Sequence, residues 1–105
     1  VPLIYAANRA EPVAQGVPPI DPDATVDYGF EWEDWLAGDT ISDLTVLLGA
    51  ELSKESQQID GTTTIAWLSV VGGTGAGTRV LMTHRVVTAG GRTEDRSMYI
   101  TVAEK

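Results

Sequence analysis

Six carboxylates stand within seventeen residues, at Asp27, Glu31, Glu33, Asp34, Asp39 and Asp43, with no Lys or Arg among them. Oxygen ligands gathered this closely could hold calcium, but the spacing matches no EF-type loop. Alternation along Val26, Tyr28, Phe30 and Trp32 places Asp27, Glu31 and Glu33 on the wet face of a strand. A solvated acidic face is therefore expected, one that would meet a basic patch on a partner sooner than an ion. Gly72-Gly73-Thr74-Gly75-Ala76-Gly77 has the glycine content of a phosphate cradle. It lacks the Lys-Ser/Thr of a P-loop and falls between two strands, so it reads as an inter-strand loop.

His84 is the sole histidine and Cys is absent, so a thiolate zinc site, a disulfide and a cysteine nucleophile are all excluded. Nothing ties His84 to a serine in a triad. It shares a strand face with Val80, Met82 and Val86 and is expected to be a hydrogen-bonded structural histidine. With no pair of residues placed for acid–base or nucleophilic work, the chain does not read as an enzyme, and no cofactor or metal is expected. Trp32, Trp35 and Trp67 supply much of the large apolar surface, and at least two belong in the core of so small a domain. Trp35 lies in an acidic turn beside Asp34 and has the placement of an interface anchor. Arg85, Arg92 and Arg96 are the one basic concentration. They could pair within the chain or meet the acidic end of another copy head to tail.

The elements that would position these residues are strands. Thr25 to Trp32 alternates strictly, and Asp34 to Asp39 is a turn or a single helical turn. Thr40 to Leu48 breaks its alternation near Ser42-Asp43, which predicts a bulge. Glu51 to Ile59 is a weaker strand closed by the tight turn Asp60-Gly61. Thr62 to Val71, Thr78 to Thr88 and Arg92 to Val102 follow. Short strands with turn signals about every ten residues, and no helical period, predict an all-β fold: a small Ig-like or fibronectin-like antiparallel sandwich over residues 25–105.

Ahead of it, residues 1–24 hold all five prolines, Pro2, Pro12, Pro18, Pro19 and Pro22. Such spacing forbids a helix or a central strand and leaves an extended N-terminal arm. The apolar cluster Val1 to Tyr5 suits an arm that orders on a partner or a neighbouring copy, with a disordered leader as the alternative. The 105 residues are enough for one domain. A net charge of −8 argues against a nucleic-acid partner. No apolar run is long enough to span a membrane, and Val1 to Ala7 does not read as a signal peptide.

Three stretches resemble a known family. They are Tyr28-x-Phe30-x-Trp32-x-Asp34-Trp35-Leu36-x-Gly38-Asp39-Thr40-Ile41, then Thr62 to Ser69 with Gly72-Gly73 and Gly75-x-Gly77, then Thr83-x-Arg85-Val86-Val87-Thr88-x-Gly90-Gly91-Arg92-Thr93-x-Asp95-Arg96-Ser97. In order and spacing they are similar to the phage fibre–tail adaptor proteins of tailed bacteriophages, over about residues 22–102. Relatives often have Ser directly before a glycine pair, whereas Val70 and Val71 intervene here, and residues 1–21 fall outside the resemblance. The resemblance implies a virion structural protein, assembled in the host cytoplasm, that joins a tail fibre or spike to the tail through multivalent contacts. Its partners would be other virion proteins and symmetric copies of itself. The alternative is a capsid cement protein clamping the major capsid protein. A calcium- or glycan-binding module built on Trp35 and the nearby acids is the reading from another class. The expected partner-binding residues are Leu3, Ile4 and Tyr5 in the arm, Asp34 and Trp35 in the turn, and Arg92 and Arg96 near the last hairpin.

Overall fold

Alternation decides the architecture. In the computed structural model, which describes residues 3–6, 13 and 17–103, the elements are β1 (Leu3–Ala6), β2 (Thr25–Glu31), α1 (Glu33–Leu36), β3 (Ile41–Leu48), β4 (Leu52–Asp60), β5 (Thr63–Val70), β6 (Arg79–Thr88) and β7 (Thr93–Thr101). One sheet runs in the order β1-β2-β5-β4 and the other β3-β6-β7. That is the division of strands in a constant-type immunoglobulin domain. Tyr28, Phe30, Trp32, Ala66 and Leu68 from the first sheet and its ends pack with Leu44, Val80, Met82, Val86, Met98 and Ile100 from the second. No helix among the described residues is long and apolar enough to cross a membrane.

The all-β sandwich is as the sequence predicts, and so are the bulge in β3 and the inward alternation of β6. The register slips between Ile41 and Asp43, where a bulge was expected. The β4–β5 turn falls one residue later than expected: Asp60 pairs with Thr63, and Gly61-Thr62 make the two-residue loop, with Gly61 at φ 62° in the first position, where a glycine is favoured. Along β6, Val80, Met82, His84 and Val86 point inward in unbroken alternation. The turn after β2 is the single helical turn α1, which ends at Ala37 in the left-handed region.

One edge departs from the antiparallel pattern. β1 runs parallel to β2, with Leu3 opposite Tyr28 and Ala6 opposite Glu31. A parallel partner next in sequence needs a long return path. The chain returns along the other sheet, where Val13 and Ile20 form parallel bridges to β7 and its continuation at Met98 and Val102. The Val13 amide donates to the Ser97 carbonyl at 2.9 Å, and the Ile20 amide to the Thr101 carbonyl at 3.0 Å. The Tyr28 hydroxyl donates to the Pro18 carbonyl at 2.9 Å. Ile20 is fully buried, and Val13 and Val17 pack against the core. The described part of the arm thus lies on its own sandwich, touching both sheets on one flank. Val1, Pro2, the stretch 7–12 and the side chains of Leu3 and Tyr5 lie outside the described residues.

Candidate interaction surfaces

The predicted partner residues fall into two places, the arm and the corner around α1. At the corner, Trp35 packs edge-on against buried Trp32, with ring centroids 5.5 Å apart. The Arg92 guanidinium lies over the Trp35 ring, 4.4 Å from its centroid. Arg92 also donates to the Trp35 carbonyl at 3.0 Å and the Leu36 carbonyl at 2.7 Å, and pairs with Asp39 at 3.3 Å. A four-residue helix leaves its carbonyls without helical partners, and the planar fork of Arg92 takes two of them at once. Asp39 in turn accepts from the amides of Thr40 and Gly90. Hydrogen bonding, led by the Thr88 hydroxyl, holds its carboxyl below the ordinary range.

The acidic turn and the basic hairpin are therefore bound to each other within one chain. The same is true of the other two arginines. Arg85 and Asp95 form a two-bond pair at 2.8 and 3.0 Å directly across β6 and β7. Arg96 is nearly buried, 3.2 Å from Glu94, with its guanidinium 5.7 Å from the Trp32 ring centre. Sequence spacing left open whether these cations serve the chain or a second copy. In the structure all three are held by the chain, and Asp34 remains exposed at the corner.

The acids expected on a wet strand face are more dispersed than alternation implied. Glu33 opens α1 and leaves the strand, because the chain turns at Trp32. Asp27 and Glu31 are half-buried. Burial pulls the Glu31 carboxyl upward, but hydrogen bonds from the Thr62 and Thr63 hydroxyls and from nearby amides outweigh it and leave it lowered. No group of three His, Asp or Glu among the described residues is arranged to hold a metal ion.

Between the sheets sits a polar chain. The Trp32 indole N–H donates to the Thr64 hydroxyl at 2.9 Å, and that oxygen lies 2.8 Å from His84 Nδ1. Phe30 meets the imidazole edge-on at 5.1 Å. His84 Nε2 is buried without a hydrogen-bond partner. Burial pushes the imidazole down to about 4, so it is neutral near pH 7.

Two surfaces went unseen in the sequence. Trp67 counts toward the core by composition, yet β5 turns it outward, 38% exposed. Its neighbours Ala66 and Leu68 take the inner positions, so the strand's parity decides the matter. On the outer face of the second sheet, Leu47 and Leu81 line an open groove of about 300 Å³ with Gly49, Glu51, Arg79 and Thr83. Arg79 lies 3.9 Å over the Tyr99 ring beside it. Their outward parity was the available signal.

At the arm, the outer face of β2 carries a notch. A Cβ on Gly29 would sit 2.7 Å from Ile4 Cδ1 and 3.3 Å from Ile65 Cγ1, and would also strike the Thr64 carbonyl. Ile4 therefore occupies space that only glycine leaves open. The glycine loop, Gly72 to Gly77, is the inter-strand connection expected, tied down where the Gly77 amide donates to the Val102 carbonyl.

This sandwich, with its Gly-Asp corner and closing hairpin, coincides with a family match. Residues 21–101 match the family model described as Podophage GP4 fiber-tail adaptor protein gp77. The chain belongs to this family. No curated protein matches the sequence. The match takes in β2 to β7 with the α1 corner, and leaves out β1, Val13 and Ile20. Membership in the fibre–tail adaptor family gives the chain a structural role in the phage particle.

Proposed function

We propose that this chain joins a tail fibre or spike to the phage tail, in several symmetric copies, through protein–protein contacts that act together. The family match across β2 to β7 carries this reading. The packed sandwich is a body on which the arm and the exposed apolar positions can meet neighbours. Each contact alone is small, and repetition around a symmetric tail converts weak attachment into firm attachment. The arm supplies apolar anchoring through Leu3, Ile4 and Tyr5. The corner bearing Asp34 and Trp35, with Arg92 bracing it and Arg96 beneath, presents a fixed acidic surface to a complementary partner. Partners are tail, fibre or spike proteins, and assembly takes place in the host cytoplasm.

Cryo-electron microscopy of intact particles tests this. The sandwich should appear as repeated density between the tail and the base of a fibre or spike. Density on the capsid lattice instead would make it a cement protein, and absence from the particle would remove both roles.

A further inference from the structure

The pairing of β1 with β2 has the form of a ligand in a receptor. The receptor is the outer edge of β2, whose backbone groups would otherwise be unpaired, together with the pit over Gly29. The ligand is a four-residue strand with an aliphatic side chain at the position opposite the pit. Ile65, beside the pit, is 5% exposed with Ile4 in place. The rest of the arm is held separately. Val13 and Ile20 are bound to β7 and its continuation by their own backbone hydrogen bonds, so β1 can leave β2 without disturbing them.

We propose that the β2 edge with its Gly29 notch is a strand-acceptor site, and that copies packed side by side fill it with one another's residues 3–6. The occupant is identified by this chain itself, because the contacts made in trans are the same as those made in cis. The choice between them then depends on reach and concentration alone. From Val13, seven Cα–Cα steps back to Ala6 span at most about 25 Å. The domain measures 24 Å across each of its two shorter axes. A neighbour lying alongside therefore has its β2 edge within reach. A short tether holds a segment at its own site at an effective concentration on the order of millimolar. Copies crowded around one axis present their sites at a comparable level, and exchange of an identical element is a low-cost route to linkage. The proposal extends the adaptor reading without needing it, since its test uses the purified full chain.

The chain has no cysteine, so single thiols can be placed without background. Ala6 and Glu31 are cross-strand partners, close enough in a parallel pair for a disulfide. Ala6→Cys and Glu31→Cys are made in separate chains, mixed at about 1 mM and gently oxidised. Exchange predicts that the mixed dimer, which joins one Ala6→Cys chain to one Glu31→Cys chain, exceeds either symmetric dimer by about tenfold or more, and that the excess fades on dilution. Adding Ile4→Asp to the Ala6→Cys chain should return the products to the random mixture. Random proportions without that change, or an excess that survives it, would overturn the proposal. The double variant in one dilute chain should close as a monomer. Failure to close would overturn the β1–β2 register on which the proposal stands.

Discussion

His84 shows how one buried polar side chain sets a pH limit for the whole domain. Its imidazole is lowered to about 4, against about 6.5 for the unfolded chain. As pH falls through 6.5, the unfolded state takes a proton that the folded state refuses. Stability is therefore full above 6.5, falls between there and about 4, and loses nothing more from this group below that. From about pH 7 to pH 5 the loss is about 2 kcal/mol. The chain has a single histidine, so this window belongs to His84, while the lowered Glu31, Asp39 and Asp95 act at more acid pH. Urea midpoints measured at pH 7, 6 and 5 should fall, and His84→Gln should flatten them; a flat profile in the original chain would contradict the buried neutral imidazole. The tryptophans separate just as clearly. Trp32 is fully buried and hydrogen-bonded, so Trp32→Ala should cost about 3–5 kcal/mol. Trp67→Ala should cost no more than about 1–2 kcal/mol, because the outward ring leaves no core cavity. Equal losses in denaturant titration would refute the assigned parity of β5.

At the scale of elements, the corner around α1 is held from outside itself. A four-residue helix cannot persist by its own hydrogen bonds, and here Arg92, from the segment preceding β7, closes its carbonyl end. Arg92→Ala should cost about 1–3 kcal/mol, the usual worth of hydrogen bonds to a charged group. Arg92→Lys should recover little, because an ammonium cannot span two carbonyls and a ring face. Amide exchange at Leu36, Ala37 and Asp39, whose donors close this turn, should accelerate in both variants, with the central strands unchanged. Unaltered protection would mean that the corner stands without Arg92. The sequence made this corner visible only in part. Trp35 and Arg92 stood out by type, but fifty-seven positions separate them. Nothing in local spacing tells a cation reserved for a partner from one that closes a distant turn. Strands were far more legible, because alternation at Tyr28, Phe30 and Trp32, or at Val80, Met82 and His84, is itself the record of a two-faced environment. The parallel entry of β1 was not legible. Strand direction depends on where the chain goes between Ala6 and Thr25, and proline fixes extension without fixing destination.

For the molecule as a whole, both flanks of the sandwich are finished by side chains and loops as well as by strands. On one flank the arm reaches both sheets, with β1 on β2 and with Val13 and Ile20 along β7. On the other, the Gln57 amide of β4 donates to the Leu44 carbonyl of β3 at 2.9 Å and links the two sheets. β4 itself is interrupted between Lys54 and Ser56, and it displays charge at Lys54 and Glu55. These are devices that discourage edge-to-edge pairing. A subunit produced in quantity ahead of its placement faces a storage problem, since any bare strand invites filaments of its own kind. The Gln57 latch and the broken β4 ladder answer it on one side of the molecule. Growth by strand pairing is then confined to the opposite flank, where an arm already lies in place. Under the proposed exchange, linkage would begin only where other copies stand close enough to compete for that flank.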